Sequence, residues 1–398
     1  MTERKFPIAT RKKPVTTNYD PFSAETLAEP STAYDYLLQN EPAHLFKQYD
    51  PPFYTLSRYE DVFSALKDVE NFSSEFGQGP RFTPPSGMLS NPPQHTFFRG
   101  LVQQAFTPKA IKALAPRIAA LTEELLNDVA EKETFDIHDD FAFPLPVTIV
   151  AELLGVPKAD LHLFKRWSDS SVEAMGAEDP TPWVEDLTAL GAYILNQIQE
   201  RRAAANPPDD MITGLVRAEQ DGVGLKDEEI VSVANQLLVG GNETTTSLIT
   251  NAVWRLLQHP ALWRRLVEDP SLVEAAMEES LRYDPPVLGL FRTTTKDFAL
   301  HGKTIPENAK VMLHYAAANR DPAIFENPHV FSLDRPPHRH MTFGFGVHFC
   351  LGAELARLEA RTAIAALAKK SPDLSLVNDG ERIKPFFLWG RRTLPVRR

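Results

Sequence analysis

Phe343-Gly344-Phe345-Gly346-Val347-His348-Phe349-Cys350-Leu351-Gly352 contains the only cysteine among 398 residues and rings it with glycines and aromatics. The run Leu351 to Leu358 predicts the opening turns of a helix, whose free N–H groups point at Cys350 and favour a charged sulfur. Gly344 and Gly346 permit turns and close backbone approach that a side chain would block. Phe343 and Phe349 are placed to wall the sulfur off from water. A lone cysteine is by default a small buried hydrophobe, but a shielded thiolate is a socket for a soft metal.

Outward from the cysteine, Asp227 to Gln258 reads as one long helix that starts with acidic residues and stops before His259-Pro260. Inside it sits Gly240-Gly241-Asn242-Glu243-Thr244-Thr245-Thr246, where each glycine costs about 1 kcal/mol against alanine. The glycines admit either another helix or a flat ligand; the threonines either bond back to the preceding turn or accompany a bulge that turns a carboxylate and a hydroxyl toward the ligand. Glu279-Ser280-Leu281-Arg282 spaces opposite charges for an ion pair on one helix face, with Glu278 as a competing partner of Arg282. His95 and Arg99 stand one helical turn apart. Ser57-Arg58-Tyr59-Glu60 predicts a capping box that opens a helix carrying Val62, Phe63, Leu66 and Val69.

Helical periodicity runs from Gln94 through Pro208, punctuated at Pro108, Pro144, Pro157 and Pro180. Short β-prone runs at Leu290–Thr295, Lys310–His314 and Arg392–Val396 are too scattered for a central parallel sheet. The fold expected is therefore mainly α with minor β sheets. Pro80 to Pro93 is irregular yet carries Phe82, Met88 and Leu89, the pattern of a loop that borders a pocket.

Hydrophobic residues make up 43% and charged residues 24%, enough to bury a sizeable core. The net charge of −11 argues against sequence-independent nucleic-acid binding. No apolar run reaches the about 20 residues of a spanning helix, no signal-peptide core follows the basic N-terminus, and one cysteine needs no oxidising compartment. These features predict a cytoplasmic protein with no membrane anchor, a flexible tail over residues 1–19 and a single domain over 20–398.

The quoted stretches resemble the cytochrome P-450 superfamily. Phe343, Gly344, Gly346, His348, Cys350 and Gly352 fall on its heme signature, and Gly240, Gly241, Glu243 and Thr244 on its oxygen-activation motif. Glu279 and Arg282 match its Glu-x-x-Arg signature, completed by Arg335 in Phe331-Ser332-Leu333-Asp334-Arg335. The resemblance covers the chain from about Asp20 onward, with the motifs in the family's order. It implies the family's fold, with heme b (iron protoporphyrin IX) held between the long helix and the cysteine loop, and Cys350 as the axial thiolate on iron. It implies that Gly241 and Phe343 contact the heme and that His95, Arg99, Arg292 and His348 hold its propionates. Glu243 and Thr244 become the proton-delivering acid and hydroxyl, while Glu279, Arg282 and Arg335 form a structural network.

The activity implied is a monooxygenase that inserts one atom of O2 into a hydrophobic small molecule. Its pocket is expected along Phe82, Met88, Leu89, Leu237, Gly240, Val287, Leu288, Leu290 and Phe387. The chain has no dinucleotide fingerprint or reductase domain, so electrons are expected from an iron–sulfur ferredoxin served by a flavin-dependent ferredoxin reductase. Lys109, Lys112, Arg357 and Arg361 are candidate docking cations. A non-catalytic heme sensor is disfavoured by the Glu243–Thr244 pair. A cysteine hydrolase is disfavoured because Cys350 and His348 lack the third group that orients a catalytic base.

Overall fold

In the computed structural model, which describes residues 19–83, 85, 87–177, 179–220 and 223–398, Asp227–Leu257 forms one α-helix of 31 residues. At 1.5 Å per residue it is about 46 Å long. Asp227, Glu228 and Glu229 occupy its first turn, and Glu229 accepts the backbone N–H of Lys226 at 2.8 Å, closing the cap. The long helix predicted from the sequence is thus present with its limits within one residue.

The described residues divide into two compact units that interleave along the chain. One is drawn from Met1–Pro84, Glu278–Cys350 and Phe386–Leu388; the other from Pro85–Met277, Leu351–Pro385 and Trp389–Arg398. The tail expected over residues 1–19 lies, up to residue 18, outside the described residues.

The first unit is built on a five-stranded sheet whose order is Ala43–Phe46, Phe53–Leu56, Lys310–Leu313, Leu290–Thr294 and Phe72–Ser73. All neighbours are antiparallel except Phe53–Leu56 with Lys310–Leu313, which run parallel in the register Lys310 opposite Phe53. Leu56, Val62, Leu66, Phe72, Val311, Leu313, Met341 and Phe345 pack as its core. The helix over Tyr59–Lys67 is present, but the capping box expected at Ser57 is not. Arg58 is the cap residue and makes no side-chain bond there; the Tyr59 N–H is instead taken by Asp321 Oδ2 at 3.0 Å, and the Ser57 hydroxyl turns to the Pro42 carbonyl. A carboxylate from far along the chain outcompetes the local hydroxyl because it is a stronger acceptor.

The second unit is helical. Pro108 and Pro144 open the helices Pro108–Asp128 and Pro144–Leu154 in their first turns, and Pro157 and Pro180 precede short 3₁₀ turns, as their missing N–H groups allow. Phe98, Phe143, Val147, Phe164, Trp167, Ile194, Ile230, Val233 and Leu238 pack together in its core. Glu359, in the middle of the helix Ala353–Lys370, is 1% exposed and its Oε1 has no hydrogen-bond partner among the described residues. A three-stranded sheet of Ser375–Leu376, Pro395–Arg397 and Thr134–Asp136 completes this unit's named β structure beside the short hairpin Glu219–Gln220 with Val223–Gly224. The fold is mainly α with minor sheets, as the periodicity predicts. Among the described residues, no helix is long and apolar enough to cross a membrane.

Candidate active site

The cysteine loop lies in the first unit. Cys350 donates its N–H to the Phe343 carbonyl at 2.8 Å, Gly344 to Met341 at 2.7 Å and Phe349 to Gly346 at 3.1 Å. Closing so tight a loop places Gly344 at φ +68° and Gly346 at φ +72°, where side chains are strained, and a Cβ on Gly346 would stand 3.1 Å from the Leu66 carbonyl oxygen. Phe343 and Phe349 pack with ring centroids 6.4 Å apart, Phe345 is buried, and the Cys350 side chain is exposed. His348 ends the 3₁₀ turn Gly346–His348. The following helix begins at Ala353 with Gly352 as its cap, two positions later than the run from Leu351 suggests.

In the same unit Glu279, Arg282 and Arg335 come together. Glu279 receives Nε and Nη2 of Arg282, both at 2.7 Å, and Nε of Arg335 at 3.0 Å, with the Ser332 N–H at 2.9 Å. Arg282 also donates to the carbonyls of Asn319, Pro328 and Val330. Both Glu279 and Arg282 have side chains only 3% exposed, so burial pulls the guanidinium down while Glu279 holds it charged. Glu278, the competing partner, pairs with His340 instead at 3.1 Å.

A second support escaped the sequence reading. Asn319 accepts the Met341 N–H at 2.6 Å and donates to Thr342 Oγ1 at 3.0 Å, fixing the entry to the cysteine loop. Arg320 reaches Ser31 Oγ and the Tyr283 carbonyl, both at 2.8 Å, and stacks on Tyr283. The signal available was Asn319-Arg320-Asp321, three polar residues directly after an apolar run.

Arg292 lies on the Leu290–Thr294 strand, 2% exposed, and donates Nη1 to the Phe291 carbonyl at 2.8 Å. Burial pulls its guanidinium down, and the Tyr315 hydroxyl opposes that; among the described residues no carboxylate acts on it. A buried cation without an acid partner is suited to hold an external anion. On the neighbouring strand Lys310 is 1% exposed; burial, then the charge of Arg292, lowers it to about 8. The Leu288 N–H meets the Phe387 carbonyl at 2.8 Å and Val287 bridges Leu388, so these expected pocket stretches adjoin. Leu288 and Phe387 are buried, Leu290 is half-buried, and Phe82 is 49% exposed.

The remaining site residues lie in the second unit. An added Cβ at Gly241 would come within 2.9 Å of Val150 Cγ2, whereas one at Gly240 would meet nothing within 4 Å. Gly241 thus serves close helix packing, and Gly240 leaves open space on the helix. Of the two readings of this run the structure has the back-bond and no bulge: residues 227–257 are α-helical throughout, and the Thr244 hydroxyl bonds back to the Gly240 carbonyl at 2.7 Å. That bond satisfies the hydroxyl without breaking the ladder. Glu243 is 5% exposed and accepts the Ser247 hydroxyl at 3.0 Å. Burial lifts its carboxyl to about 7, with Ser247 opposing and Asp169 assisting. His95, 2% exposed near the start of Gln94–Gln103, is lowered by burial and by the charge of Arg99. Met88 donates its N–H to Gln236 Oε1 of the long helix at 2.9 Å, and Leu237 belongs to the core; Leu89 follows Met88 in the chain.

Two of the expected docking cations are locally neutralised. Arg357 pairs with Glu354 at 3.1 Å and Arg361 with Glu274 at 2.7 Å, while Lys109 and Lys112 are exposed at the start of Pro108–Asp128.

Comparison with known proteins gives one consistent result. The family model for cytochrome P450 matches residues 183–370. "Cytochrome P450 109" of Bacillus spizizenii is 39% identical over 92% of this chain and 91% of its own length. Erythromycin C-12 hydroxylase of Saccharopolyspora erythraea is 42% identical over 85% of this chain and 87% of its own. Among solved structures, CYP109E1 from Bacillus megaterium in complex with testosterone superposes with a TM-score of 0.86 at 35% identity, covering 94% of this chain and 99% of that one.

Proposed function

The chain belongs to the cytochrome P450 family, heme-dependent monooxygenases that hydroxylate small molecules, and from that premise we propose that it oxidises a hydrophobic substrate in the cytoplasm with electrons from a ferredoxin and its flavin-dependent reductase. The observation that carries the reading is the exposed Cys350 thiol, held on a loop whose tight closure requires Gly344 and Gly346 in left-handed backbone.

The residues present fit a heme. Cys350 offers a soft anionic donor to iron; the buried, acid-free guanidinium of Arg292 calls for a carboxylate such as a propionate; and the long helix is open beside Gly240. When bound, heme supplies the activation of O2 and its transfer to carbon. From the first unit we assign Cys350 to the iron, Arg292 and His348 to propionates, and Phe343 to contact with the heme. From the second we assign His95 and Arg99 to propionates and Gly240 to the open stretch of helix that borders the heme, with Gly241, packed on Val150, serving to hold that helix in place.

Glu243 acts as the proton carrier. With its carboxyl at about 7 it holds a proton about half the time at neutral pH, and it can therefore both give and regain one. Ser247 donates to Glu243 Oε1, steadying the carboxyl's position. Thr244 uses its hydrogen on the Gly240 carbonyl, so its oxygen lone pairs face outward from that bond and can accept. Glu279, Arg282 and Arg335 hold the frame of the cysteine loop and take no part in bond-making.

The wall residues are mostly apolar, which favours a hydrophobic substrate. Relatives named for erythromycin and vitamin D(3) hydroxylation support that class. Purified protein should show the strongly red-shifted ferrous carbon-monoxide spectrum of a thiolate-ligated heme, lost in Cys350→Ser, and substrate-dependent NAD(P)H oxidation when ferredoxin and reductase are supplied. A Cys350→Ser variant that keeps spectrum and turnover overturns the assignment.

A further inference from the structure

A buried ammonium sits where nothing in the heme chemistry calls for one. Lys310 opens the strand Lys310–Leu313 and is followed by Val311, Met312 and Leu313, all buried. Its Nζ donates to the carbonyls of Phe76 at 2.6 Å and Gly77 at 3.1 Å, and it lies 4.8 Å from the centre of the Phe82 ring. Among the described residues no carboxylate acts on it. Burying a cation without an anion is costly, so the three contacts define what this side chain serves.

They all fall on one irregular segment. After Phe72–Ser73 the chain turns through Gly77, whose N–H meets the Ser74 carbonyl at 3.2 Å, and returns so that the Thr83 N–H meets the Phe76 carbonyl at 3.1 Å. Gly77 stands at φ +88°, and a Cβ there would strike Thr83 Oγ1 at 2.3 Å. The sheet grips this segment through the Phe291 N–H on the Gln78 carbonyl at 2.9 Å and through Lys310. Phe76 and Phe82 remain 40% and 49% exposed. Phe82 has its ring over the ammonium as one tie, the attraction of a cation for an aromatic face.

We propose that Lys310 is a positioning residue for substrate selection: its ammonium ties the Phe76–Phe82 segment to the sheet and sets where the Phe82 ring stands at the pocket wall. This rests on the reading above, in which Phe82 lines the pocket of a heme enzyme. Lys310 touches neither substrate nor cofactor and acts through the carbonyls and the ring that it holds. Its replacement should alter the recognition of bulky ligands while leaving access of a small ligand to the iron unchanged.

The test uses heme-loaded full-length protein and two probes read by the Soret shift of a nitrogen-ligated iron: imidazole, which needs no pocket wall, and clotrimazole, an imidazole bearing three aryl rings. Lys310→Met and Phe82→Ala should each change the clotrimazole Kd by about tenfold, the scale of one lost charge-assisted contact, and leave the imidazole Kd within about twofold. Lys310→Arg, which keeps a cation over the ring, should restore most of the difference. The double variant Lys310→Met/Phe82→Ala should show less than the sum of the single effects. An unchanged clotrimazole Kd in Lys310→Met overturns the proposal even if thermal stability falls, since a purely structural lysine would do that. If Lys310→Met fails to load heme, Phe82→Ala alone decides: wild-type clotrimazole binding there also overturns it. Failure of the wild-type protein to shift with imidazole overturns the heme reading and this inference together, whereas normal imidazole binding with unchanged clotrimazole binding sinks this one only.

Discussion

Replacing Glu359 by Gln should stabilise the protein, and by an amount that grows with pH. Its carboxyl is pushed from 4.5 to about 8 by burial alone, and Oε1 has no partner to offset the loss of water. Because the folded value lies above the unfolded one, the wild-type protein has its full stability below about pH 4.5 and loses it as pH rises through about 8. A shift from 4.5 to about 8 corresponds to about 5 kcal/mol in all at 1.36 kcal/mol per unit. Between pH 5 and pH 8 the fraction realised is about 3.5 kcal/mol, as an upper figure for a group that draws in water when ionised. Glutamine keeps the shape and cannot ionise, so this slope disappears while a smaller, pH-independent cost of burying an amide remains. Urea unfolding of both proteins, followed by far-UV circular dichroism at pH 5, 6.5 and 8, gives the two stability curves. They should lie close together at pH 5 and separate toward pH 8, with the variant above. Parallel curves would refute the reasoning, because they would mean that Glu359 carries the same charge folded and unfolded.

Three further outcomes are expected. Thr244→Ala should continue to consume NAD(P)H but divert it toward hydrogen peroxide, measured as peroxide formed per NAD(P)H oxidised; unchanged coupling removes Thr244 from proton delivery. Product formation per NAD(P)H should fall as pH rises through about 7, where Glu243 gives up its proton, and Glu243→Gln should be slower by about 10²-fold or more with that pH dependence gone. Arg282→Ala leaves the Glu279 carboxylate with Arg335 as its remaining cation in a nearly closed site, at a cost of about 3–5 kcal/mol for a broken buried pair. It should yield little heme-loaded protein by the ratio of Soret to protein absorbance, and full occupancy would contradict the structural role given to that network.

The elements that the sequence discloses are those whose cause is local. Asp227–Leu257 announces itself through an acidic start, an apolar face and a His-Pro stop; Cys350 through its glycines; and Arg282 with Glu279 through a three-residue spacing. The features that stayed hidden depend on partners distant in the chain. Ser57 has the right spacing to cap Tyr59–Lys67, but Asp321 arrives from 262 residues away and takes the N–H. Lys310 reads as an ordinary surface charge at a strand end until the Phe76 and Gly77 carbonyls are seen around it. Glu359 sits in Ala-Arg-Leu-Glu-Ala-Arg, a pattern that suits a solvated helix as well as a buried one, and only the packing tells them apart. At Thr244 both a bulge and a back-bond were compatible with the residues, and the unbroken helix decides for the back-bond.

The contact between Gly241 and Val150 makes these positions a single design variable. Their two helices compete for the volume of one methyl group, so alanine at 241 becomes affordable only when residue 150 gives up a branch. Anyone recasting the helix Asp227–Leu257 would have to edit the pair together, and a library that varies 241 alone would discard sequences that a two-site library would keep.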